Sequence, residues 1–321
     1  MSERHGIATA GSVLVDKICK IDAYPQVGEL TQIRSIVNAG GGLVPNDAID
    51  IKRLSPDIDV LALGKVGNDA EGKYVTELLA KCGIDVSGIK VTDAEKTSFT
   101  DVMSIEGGQR TFFTYAGASA DFGYDDIDWD KLNCRILHLG YFLLLKKVDE
   151  GDGLRILREA SKRGIETSID LVSENSDRYN LVIPCLPYVD YLIINESEAG
   201  AICGIEPTED NLPAIAERLK AMGVRKKVII HTPSVMLCLS DGQLTVTRAV
   251  ALPKGFKKGS TGAGDAFCSG ALVAIYKGKT DREILDMAQL SAIASLRAPD
   301  ATSGMDSFDK LCEELKDIIQ L

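Results

Sequence analysis

The chain has few of the side chains that bind transition metals, and none of its cysteines are paired in sequence. Its 321 residues include three dispersed histidines and eight cysteines, of which no two have the C-x-x-C spacing. Disulfide frameworks and structural zinc sites usually need cysteines or histidines in such patterns. We therefore expect reduced, mostly buried thiols and no transition-metal cluster.

Long apolar segments and an excess of positive charge are also lacking. The longest apolar run, residues 136–145, is too short to cross a bilayer and contains His138. The formal net charge of −11 disfavours nucleic acid and anionic membranes as partners. With 45% hydrophobic residues, 26% charged residues and no signal-peptide pattern, the sequence predicts a cytoplasmic globular protein.

The most informative stretch is K-K-G-S-T-G-A-G-D-A-F at residues 257–267, a glycine-rich turn leading into a helix of small residues. Free N–H groups at such a helix start attract an anion. A phosphate-binding loop of the G-x-x-x-x-G-K type needs lysine after its last glycine, whereas Asp265 stands there and can accept a proton. We predict that the amides of Gly262, Ala263 and Gly264 form an anion hole and that Asp265 is the base for an attacking hydroxyl.

Two other interpretations of this stretch stay open from the residues alone. Ser260 or Thr261 could cap an ordinary helix. A dinucleotide-binding fingerprint is disfavoured, because Phe267 takes the place of its third glycine and no βαβ unit starts here.

A recurring helix-to-strand pattern predicts the fold class. C-G-I, R-G-I and M-G-V at residues 82–84, 163–165 and 222–224 each place a glycine between a helical segment and a strand. We predict an α/β protein with a doubly wound, mostly parallel sheet flanked by helices, in one domain spanning residues 1–321. Residues 30–38 and a hairpin within 97–118, turning at 106–109, are expected to form a small separate sheet.

Polar residues at three further places are candidates for ligand binding. A strand over residues 6–15 is expected to present Asp16 at its end. A second glycine turn, A-G-G-G-L-V-P-N at residues 39–46, leads into a helix and offers Asn46 to hydroxyl groups. Asn195 and Glu198 share one face of a first helical turn, where they either cap the helix or hold a hydrated Mg²⁺.

T-G-A-G-D-A-F at residues 261–267 resembles the signature of the ribokinase-like (PfkB) carbohydrate kinases. Weaker family motifs occur in the family's order: G-x-x-x-x-D ending at Asp16, G-G-x-x-x-N ending at Asn46, and N-x-x-E ending at Glu198. The resemblance covers nearly the whole chain. It implies an ATP-dependent, Mg²⁺-requiring kinase of a sugar or sugar-like alcohol, with a discontinuous β-sheet lid built from insertions at about 17–38 and 95–118.

The resemblance also assigns roles to individual residues. Substrate binding falls to Asp16, Gly41, Gly42, Asn46 and Arg110. Nucleotide binding falls to Asn195, Thr232, Thr261, Gly262 and Gly264, and Asn195 with Glu198 would serve Mg²⁺ through water. A homodimer through the lid is a further expectation.

The chain departs from the family pattern at three places. Ser234 and Leu237 replace the glycines of T-x-G-x-x-G after Thr232. Leu14 and Leu43 stand where members that hold ribose have Asn and Lys, and Gly259 replaces the first aspartate of D-T-x-G-A-G-D.

The substrate stays open at this stage. A nucleoside kinase of the same fold would stack a base on lid aromatics, for which the candidates are Phe112, Phe113 and Tyr115. A non-catalytic sugar-sensing protein of the same fold is the second alternative, and the retained Asp265 counts against it.

Overall fold

The computed structural model describes residues 4–105, 110–173 and 177–318. The predicted hairpin turn at 106–109 lies outside these residues. The strands are β1 (Ile7–Ala10), β2 (Leu14–Ile21), β3 (Ile33–Gly41), β4 (Val60–Gly67), β5 (Asp85–Thr92), β6 (Ser98–Ser104), β7 (Arg110–Tyr115), β8 (Ile136–Phe142), β9 (Glu166–Leu171), β10 (Tyr191–Asn195), β11 (Lys227–His231), β12 (Val235–Ser240) and β13 (Gln243–Arg248). The helices are α1 (Leu43–Leu54), α2 (Ala70–Lys81), α3 (Gly153–Lys162), α4 (Glu196–Cys203), α5 (Leu212–Ala221), α6 (Ala263–Tyr276), α7 (Asp281–Leu296) and α8 (Phe308–Leu315).

A nine-stranded sheet forms the body of the molecule. Its order is β13-β12-β11-β10-β9-β8-β1-β4-β5, and β12 runs in the direction opposite to the other eight strands. Gly83, Gly164 and Gly223 follow helices α2, α3 and α5 with φ angles of 78°, 74° and 119°. These left-handed positions end the helices as the sequence pattern predicted.

Two apolar layers cover the two faces of this sheet. Residues of α1, α2, α6, α7 and α8 pack on one face, and residues of α3, α4 and α5 pack on the other. The predicted doubly wound, mostly parallel fold is therefore confirmed. No helix among the described residues combines the length and the apolar character needed to cross a bilayer.

A second sheet of four strands, in the order β3-β2-β6-β7, forms the lid. The expectation of one strand over residues 6–15 that ends at Asp16 is wrong. The chain leaves the large sheet after Ala10, turns through Gly11 with φ of 147°, and re-enters extended structure at Leu14 in the lid. Asp16 is therefore the third residue of a lid strand, where it pairs with Ala39 and Thr100.

Candidate active site

Two cavities share the start of α6. The lid cavity, of about 240 Å³, lies between the lid sheet and the body. The strand-end cavity, of about 480 Å³, lies where β10 and β11 end against α6 and α7. Gly262 and Asp265 line the lid cavity, whereas Ala263 and Gly264 line the strand-end cavity. The first turn of α6 is therefore the boundary between the two spaces.

The carboxylate of Asp265 is held by two side chains from other elements. Nδ2 of Asn46 donates to Oδ2 at 2.7 Å, and the hydroxyl of Tyr141 lies 2.9 and 3.0 Å from the two carboxylate oxygens. Burial raises the pKa of Asp265, and the hydrogen bonds from Asn46 and Tyr141 offset part of this rise. A buried carboxylate with a raised pKa in the wall of a cavity is suited to accept a proton.

At the first glycine turn, the protein itself hydrogen-bonds the amides of the helix start. The amides of Leu43 and Val44, at the start of α1, donate to the hydroxyl and the carbonyl of Ser12, both at 3.0 Å. Gly42 has φ of 81°, which favours glycine, and a Cβ on Gly41 would lie 2.5 Å from a carboxylate oxygen of Asp16. These two glycines therefore let the backbone pass behind the lid cavity.

Asn46 lines the lid cavity from the first turn of α1. Its Nδ2 is committed to Asp265, while its buried Oδ1 has no hydrogen-bond partner. Of the donor and acceptor functions expected from the sequence, the acceptor is the one left for a ligand.

The second glycine turn is open. Gly262 precedes α6 with φ of 77°, and no side chain caps this helix, so capping by Ser260 or Thr261 does not occur. The amide of Ala263 is 3.4 Å from the carbonyl of Ser260. The amides of Gly264 and Asp265 follow at helix positions that have no acceptor one turn earlier within α6. Unpaired N–H groups at a helix start are suited to bind an anion.

Asp16 lines the lid cavity from β2. Burial, and secondarily the nearby charge of Asp265, raise its pKa to about 6. Two carboxylates with raised pKa values, one from the lid and one from α6, thus face the same small space.

Arg110, at the start of β7, connects the lid to the turn before α6. Its guanidinium donates to the hydroxyl of Thr261 and to the carbonyl of Pro299, each at 3.3 Å. Arg110 also lines the lid cavity, as do Thr261 and Gly262, which the sequence placed beside the nucleotide.

The strand-end cavity contains the remaining residues expected at the nucleotide, Asn195, Thr232 and Gly264. The hydroxyl of Thr232 accepts from the amides of Ser234 at 3.0 Å and Val235 at 2.8 Å. The turn that lacks the family's glycines is therefore closed by Thr232 itself. Lys257 also lines this cavity and brings a positive charge to it.

Asn195 and Glu198 form a reciprocal helix cap at the start of α4. Oδ1 of Asn195 accepts from the amide of Glu198 at 3.0 Å, and a carboxylate oxygen of Glu198 accepts from the amide of Asn195 at 3.1 Å. The other oxygen accepts from the hydroxyl of Ser173 at 2.7 Å. Burial raises the pKa of Glu198 to about 7. Both oxygens are thus already hydrogen-bonded, and Glu198 does not line the cavity whereas Asn195 does.

Tyr141 is a site residue that sequence reasoning missed. It stands near the end of β8 with φ of 58°, a left-handed conformation that is unfavourable for a residue with a side chain. Its amide donates to Oδ1 of Asp170 at 2.8 Å, which helps hold that conformation. The available signal was its position at the carboxyl end of a parallel strand, where ligands of α/β proteins bind.

Several side chains lie elsewhere than the sequence suggested. Leu14 lines the lid cavity, but Leu43 is fully buried in the core and does not. All three lid aromatics are exposed, and of these Phe112 lines the cavity whereas Phe113 and Tyr115 do not. Successive residues of β7 point to opposite faces of the lid, which separates Phe112 from its two neighbours.

The expectation of no transition-metal cluster stays a prediction, but it rested on spacing along the chain, and three potential ligands meet in space. Asp47, His138 and Cys268 are far apart in sequence, yet one ligand atom of each lies within 4.8 Å of the others. All three side chains are buried. Spacing along the chain cannot reveal a cluster that forms only when α1, β8 and α6 pack together.

Residues 6–307 match the family described as pfkB family carbohydrate kinase. The chain belongs to this family. It is therefore a carbohydrate kinase, which transfers a phosphoryl group to an alcohol. Ribokinase of Arabidopsis thaliana is 23% identical to it over 315 residues, 97% of this chain and 81% of that protein.

Solved structures share the fold of this pfkB-family chain. The structure of Arabidopsis thaliana ribokinase complexed with ribose and ATP superposes with a TM-score of 0.84 at 22% identity, covering 98% of this chain and 99% of the other. A nucleoside kinase of Methanocaldococcus jannaschii, described as an archaeal member of the ribokinase family, has a TM-score of 0.77 at 19% identity, covering 98% and 100%.

Proposed function

We propose that this carbohydrate kinase transfers the terminal phosphoryl group of ATP to a hydroxyl of a sugar bound in the lid cavity, with Asp265 as the base. The observation that carries the proposal is the position of Asp265. Its carboxylate lines the lid cavity, and the amide of Gly264, one residue earlier, belongs to the strand-end cavity. A base and an anion-binding helix start therefore meet where the two spaces adjoin.

In this mechanism Asp265 accepts the proton of the attacking hydroxyl. Asn46 and Tyr141 hold the carboxylate through the hydrogen bonds described above, which orients it without neutralising it. The amides of Gly264 and Asp265 stabilise the negative charge that develops on the transferring group. Of the predicted anion hole, Gly262 contributes its left-handed turn, and the amide of Ala263 would have to give up its long contact with Ser260.

We place ATP in the strand-end cavity. Support comes from its volume, from Lys257 in its wall and from the ring of Phe267, whose centroid lies 4.4 Å from that of His231. The similarity in fold to a ribokinase that binds ATP agrees with this placement.

Mg²⁺ fits this cavity only through water. Oxygen ligands suit Mg²⁺, which usually keeps several waters. Because both oxygens of Glu198 already accept hydrogen bonds and only Asn195 of the pair lines the cavity, Asn195 would contact the waters of a hydrated ion and Glu198 would position Asn195. The ion, when bound, supplies charge neutralisation between the phosphates.

The sugar would occupy the lid cavity. Asp16 and Oδ1 of Asn46 offer acceptors for its hydroxyls, and Arg110 offers donors once its long contacts to Thr261 and Pro299 exchange. Gly42 also lines the cavity and lets a polyol lie against the backbone.

A nucleoside is the second candidate acceptor. Phe112 lines the lid cavity and offers a ring on which a base could stack, and a nucleoside kinase shares the fold. A sugar-sensing protein without catalysis is disfavoured by the family assignment and by the arrangement around Asp265.

We also propose a homodimer through the lid. On the face of the lid that points away from the cavity, the strands leave apolar side chains exposed, with Ile36 61% and Phe113 58% accessible. A second copy of the same sheet could cover them. Light scattering that shows a monomer at micromolar concentration would rule this out.

The deciding experiment is a screen of ADP release over sugars, sugar phosphates and nucleosides, with Asp265→Asn as the matched control. We expect one acceptor class to stimulate ADP release in the wild-type protein and not in the variant. Stimulation by nucleosides alone would favour the second candidate, and equal turnover of both proteins would contradict the role of Asp265.

A further inference from the structure

Beneath the proposed active site, three buried side chains that bind metals elsewhere in proteins meet from three elements. Asp47 lies on α1, His138 on β8 and Cys268 on α6. The side chains of Asp47 and His138 are completely inaccessible, and Cys268 is 2% accessible. The proposed function uses none of them.

The separations between their ligand atoms match a tetrahedral zinc site. Nε2 of His138 is 3.2 Å from Oδ2 of Asp47 and 3.7 Å from Sγ of Cys268. Zinc at about 2.0 to 2.1 Å from nitrogen and oxygen and about 2.3 Å from sulfur would separate nitrogen from oxygen by about 3.3 Å and nitrogen from sulfur by about 3.6 Å. Oδ2 of Asp170 is 4.0 Å from the same nitrogen and lies outside the group of three mutually close ligand atoms.

Asp47 supplies independent evidence that the cluster is suited to a cation. Both of its carboxylate oxygens are buried without a hydrogen-bond partner. Among the described residues, no lysine or arginine lies within ion-pair distance of it, and its one ion-pair contact is to His138. A buried carboxylate is strongly destabilising unless it is paired or bound to a metal.

The imidazole of His138 is oriented toward the cluster. Its Nδ1 lies 3.1 Å from the hydroxyl of Ser168, which leaves Nε2 facing Asp47 and Cys268. Ligating histidines are commonly fixed in this way through the other ring nitrogen. A set of nitrogen, sulfur and carboxylate donors suits Zn²⁺ and not Mg²⁺, so this site is chemically distinct from the ATP site.

We propose that Asp47, His138 and Cys268 bind one Zn²⁺ in a buried site, whose fourth position Asp170 fills by moving toward the ion. Binding releases the thiol proton of Cys268 to solvent, because the thiolate is the ligand. Each of three ligands is close in sequence to a residue at the base: Asp47 follows Asn46, His138 precedes Tyr141 by three positions, and Cys268 follows Asp265 by three. The ion therefore ties together the three elements that position the base.

The test measures zinc in protein expressed in zinc-supplemented medium and then passed over a chelating resin. We expect close to one zinc per chain in the wild-type protein and in the control Cys238→Ser, whose cysteine is equally buried on β12, four strands from β8 in the large sheet. Cys268→Ser should lose zinc affinity by more than the roughly 10- to 100-fold that loss of an orienting partner costs. Cobalt in place of zinc should give a thiolate charge-transfer band that is absent in Cys268→Ser.

A second variant keeps the proposal testable if Cys268→Ser does not fold. Asp47→Asn keeps the shape of the side chain and removes its charge. A strong chelator should lower the melting temperature of the wild-type protein and leave that of Asp47→Asn unchanged. Absence of zinc from the wild-type protein would overturn the proposal, as would zinc content unchanged in both variants. Zinc that disappears only when the partly exposed Cys82 and Cys312 are replaced would overturn it as well.

Discussion

Two glycine turns lead into helices at the lid cavity. They differ in whether the backbone amides at the helix start are hydrogen-bonded by the protein. At the start of α1, the amides of Leu43 and Val44 are bound by Ser12. At the start of α6, the amides of Gly264 and Asp265 have no acceptor within the helix, and Gly264 faces open space, since an added Cβ there would meet nothing within 4 Å. The first turn is thus a closed support that presents the side chain of Asn46, and the second is an open anion site.

The difference shows why a glycine turn before a helix is not by itself a binding site. Both turns contain three glycines within a few residues, and both have a left-handed glycine directly before the helix. What separates them is a serine about 30 residues earlier in the chain, which binds one set of amides and not the other. The chemistry should therefore depend strongly on the second turn and less strongly on the first.

The largest expected effect concerns the base of the second turn. Asp265→Asn should keep the fold and substrate binding while kcat falls by roughly 10² to 10⁴, because the amide cannot accept the hydroxyl proton. Asp300→Asn is a matched control, since Asp300 lines the same cavity but accepts from the amides of Thr302 and Ser303. Steady-state kinetics with the best acceptor would measure both variants, and a near wild-type kcat for Asp265→Asn would contradict the assignment.

Selectivity against ribose tests the first turn. Leu14 lines the lid cavity where ribose-holding members of the family have asparagine, so one hydroxyl of ribose would be buried without a partner. Such a loss costs about 1 to 3 kcal/mol, or roughly 5- to 150-fold in kcat/KM. Leu43 adds nothing to this figure, because its side chain lies in the core. If ribose is the best acceptor in the screen, the expected effect of Leu14 on the sugar site is contradicted.

Tyr141 connects the two turns through Asp265. Tyr141→Phe keeps the ring but removes the hydroxyl that lies against the carboxylate. We expect kcat to fall about tenfold, in line with the loss of one hydrogen bond to a charged group. Because this hydrogen bond lowers the pKa of Asp265, the acid limb of the pH profile should move to higher pH. Unchanged kcat and an unchanged profile would remove Tyr141 from the site.

The sequence predicted the large parallel sheet better than it predicted where individual side chains lie. Glycine positions and apolar segments are local signals, so the parallel sheet could be predicted from them. The turn at Gly11, which moves Asp16 out of the body and into the lid, has no comparable signal, because residues 6–15 read as one apolar strand. The chain enters the lid at Leu14 because this residue pairs with Gly41 and Ser98. Both partners are distant along the chain.

The site was predictable where a motif carries it and not where packing assembles it. Asp265 and Asn46 each belong to a recognisable motif, and the structure brings them to 2.7 Å. Tyr141 and the cluster of Asp47, His138 and Cys268 belong to none. Tyr141 lies more than 80 residues along the chain from Asp265, and so does each member of the cluster from the other two. The roles of Thr261 and Gly262 at the nucleotide stay predictions, because both residues line the lid cavity and not the strand-end cavity.

The carboxylate of Asp16 provides a titration that reports on the first turn. With its pKa raised to about 6, Asp16 becomes protonated as the pH falls through about 6, and it then loses its capacity to accept two hydroxyl protons. We expect kcat/KM to fall below this pH, and Asp16→Asn should lack that part of the decline.

The stability of the folded protein should depend on pH in the opposite direction from activity. Because the native pKa of Asp16 lies above the ordinary value of 3.8, this group binds its proton more readily in the native state, so its contribution to stability rises as the pH falls between about 6 and 4. Activity that falls over this range without a matching fall in the melting temperature would support titration of the site. An acid limb identical in Asp16→Asn would assign the decline to another group.

The smallest expected effect is that of monovalent cations, which should barely alter activity. The resemblance to the ribokinase-like family implies a K⁺ site beside the anion hole that uses the first aspartate of D-T-x-G-A-G-D, and Gly259 stands there in this chain. A Cβ at Gly259 would lie 2.6 Å from the carbonyl oxygen of Ala298, so the backbone itself occupies the place of a side chain. Without that charge, an ion loses an attraction on the order of 1 to 4 kcal/mol in a partly solvated site. One oxygen of Asp300 accepts from the amides of Thr302 and Ser303, which directs that oxygen toward its own loop. Activity in K⁺, in Na⁺ and in a bulky organic cation should therefore differ by less than about tenfold at matched ionic strength, fixed Mg²⁺ and fixed ATP.

If K⁺ activates more strongly than this, the open turn binds a cation through carbonyl oxygens or through Asp300, and loss of the activation in Asp300→Asn would identify the second route.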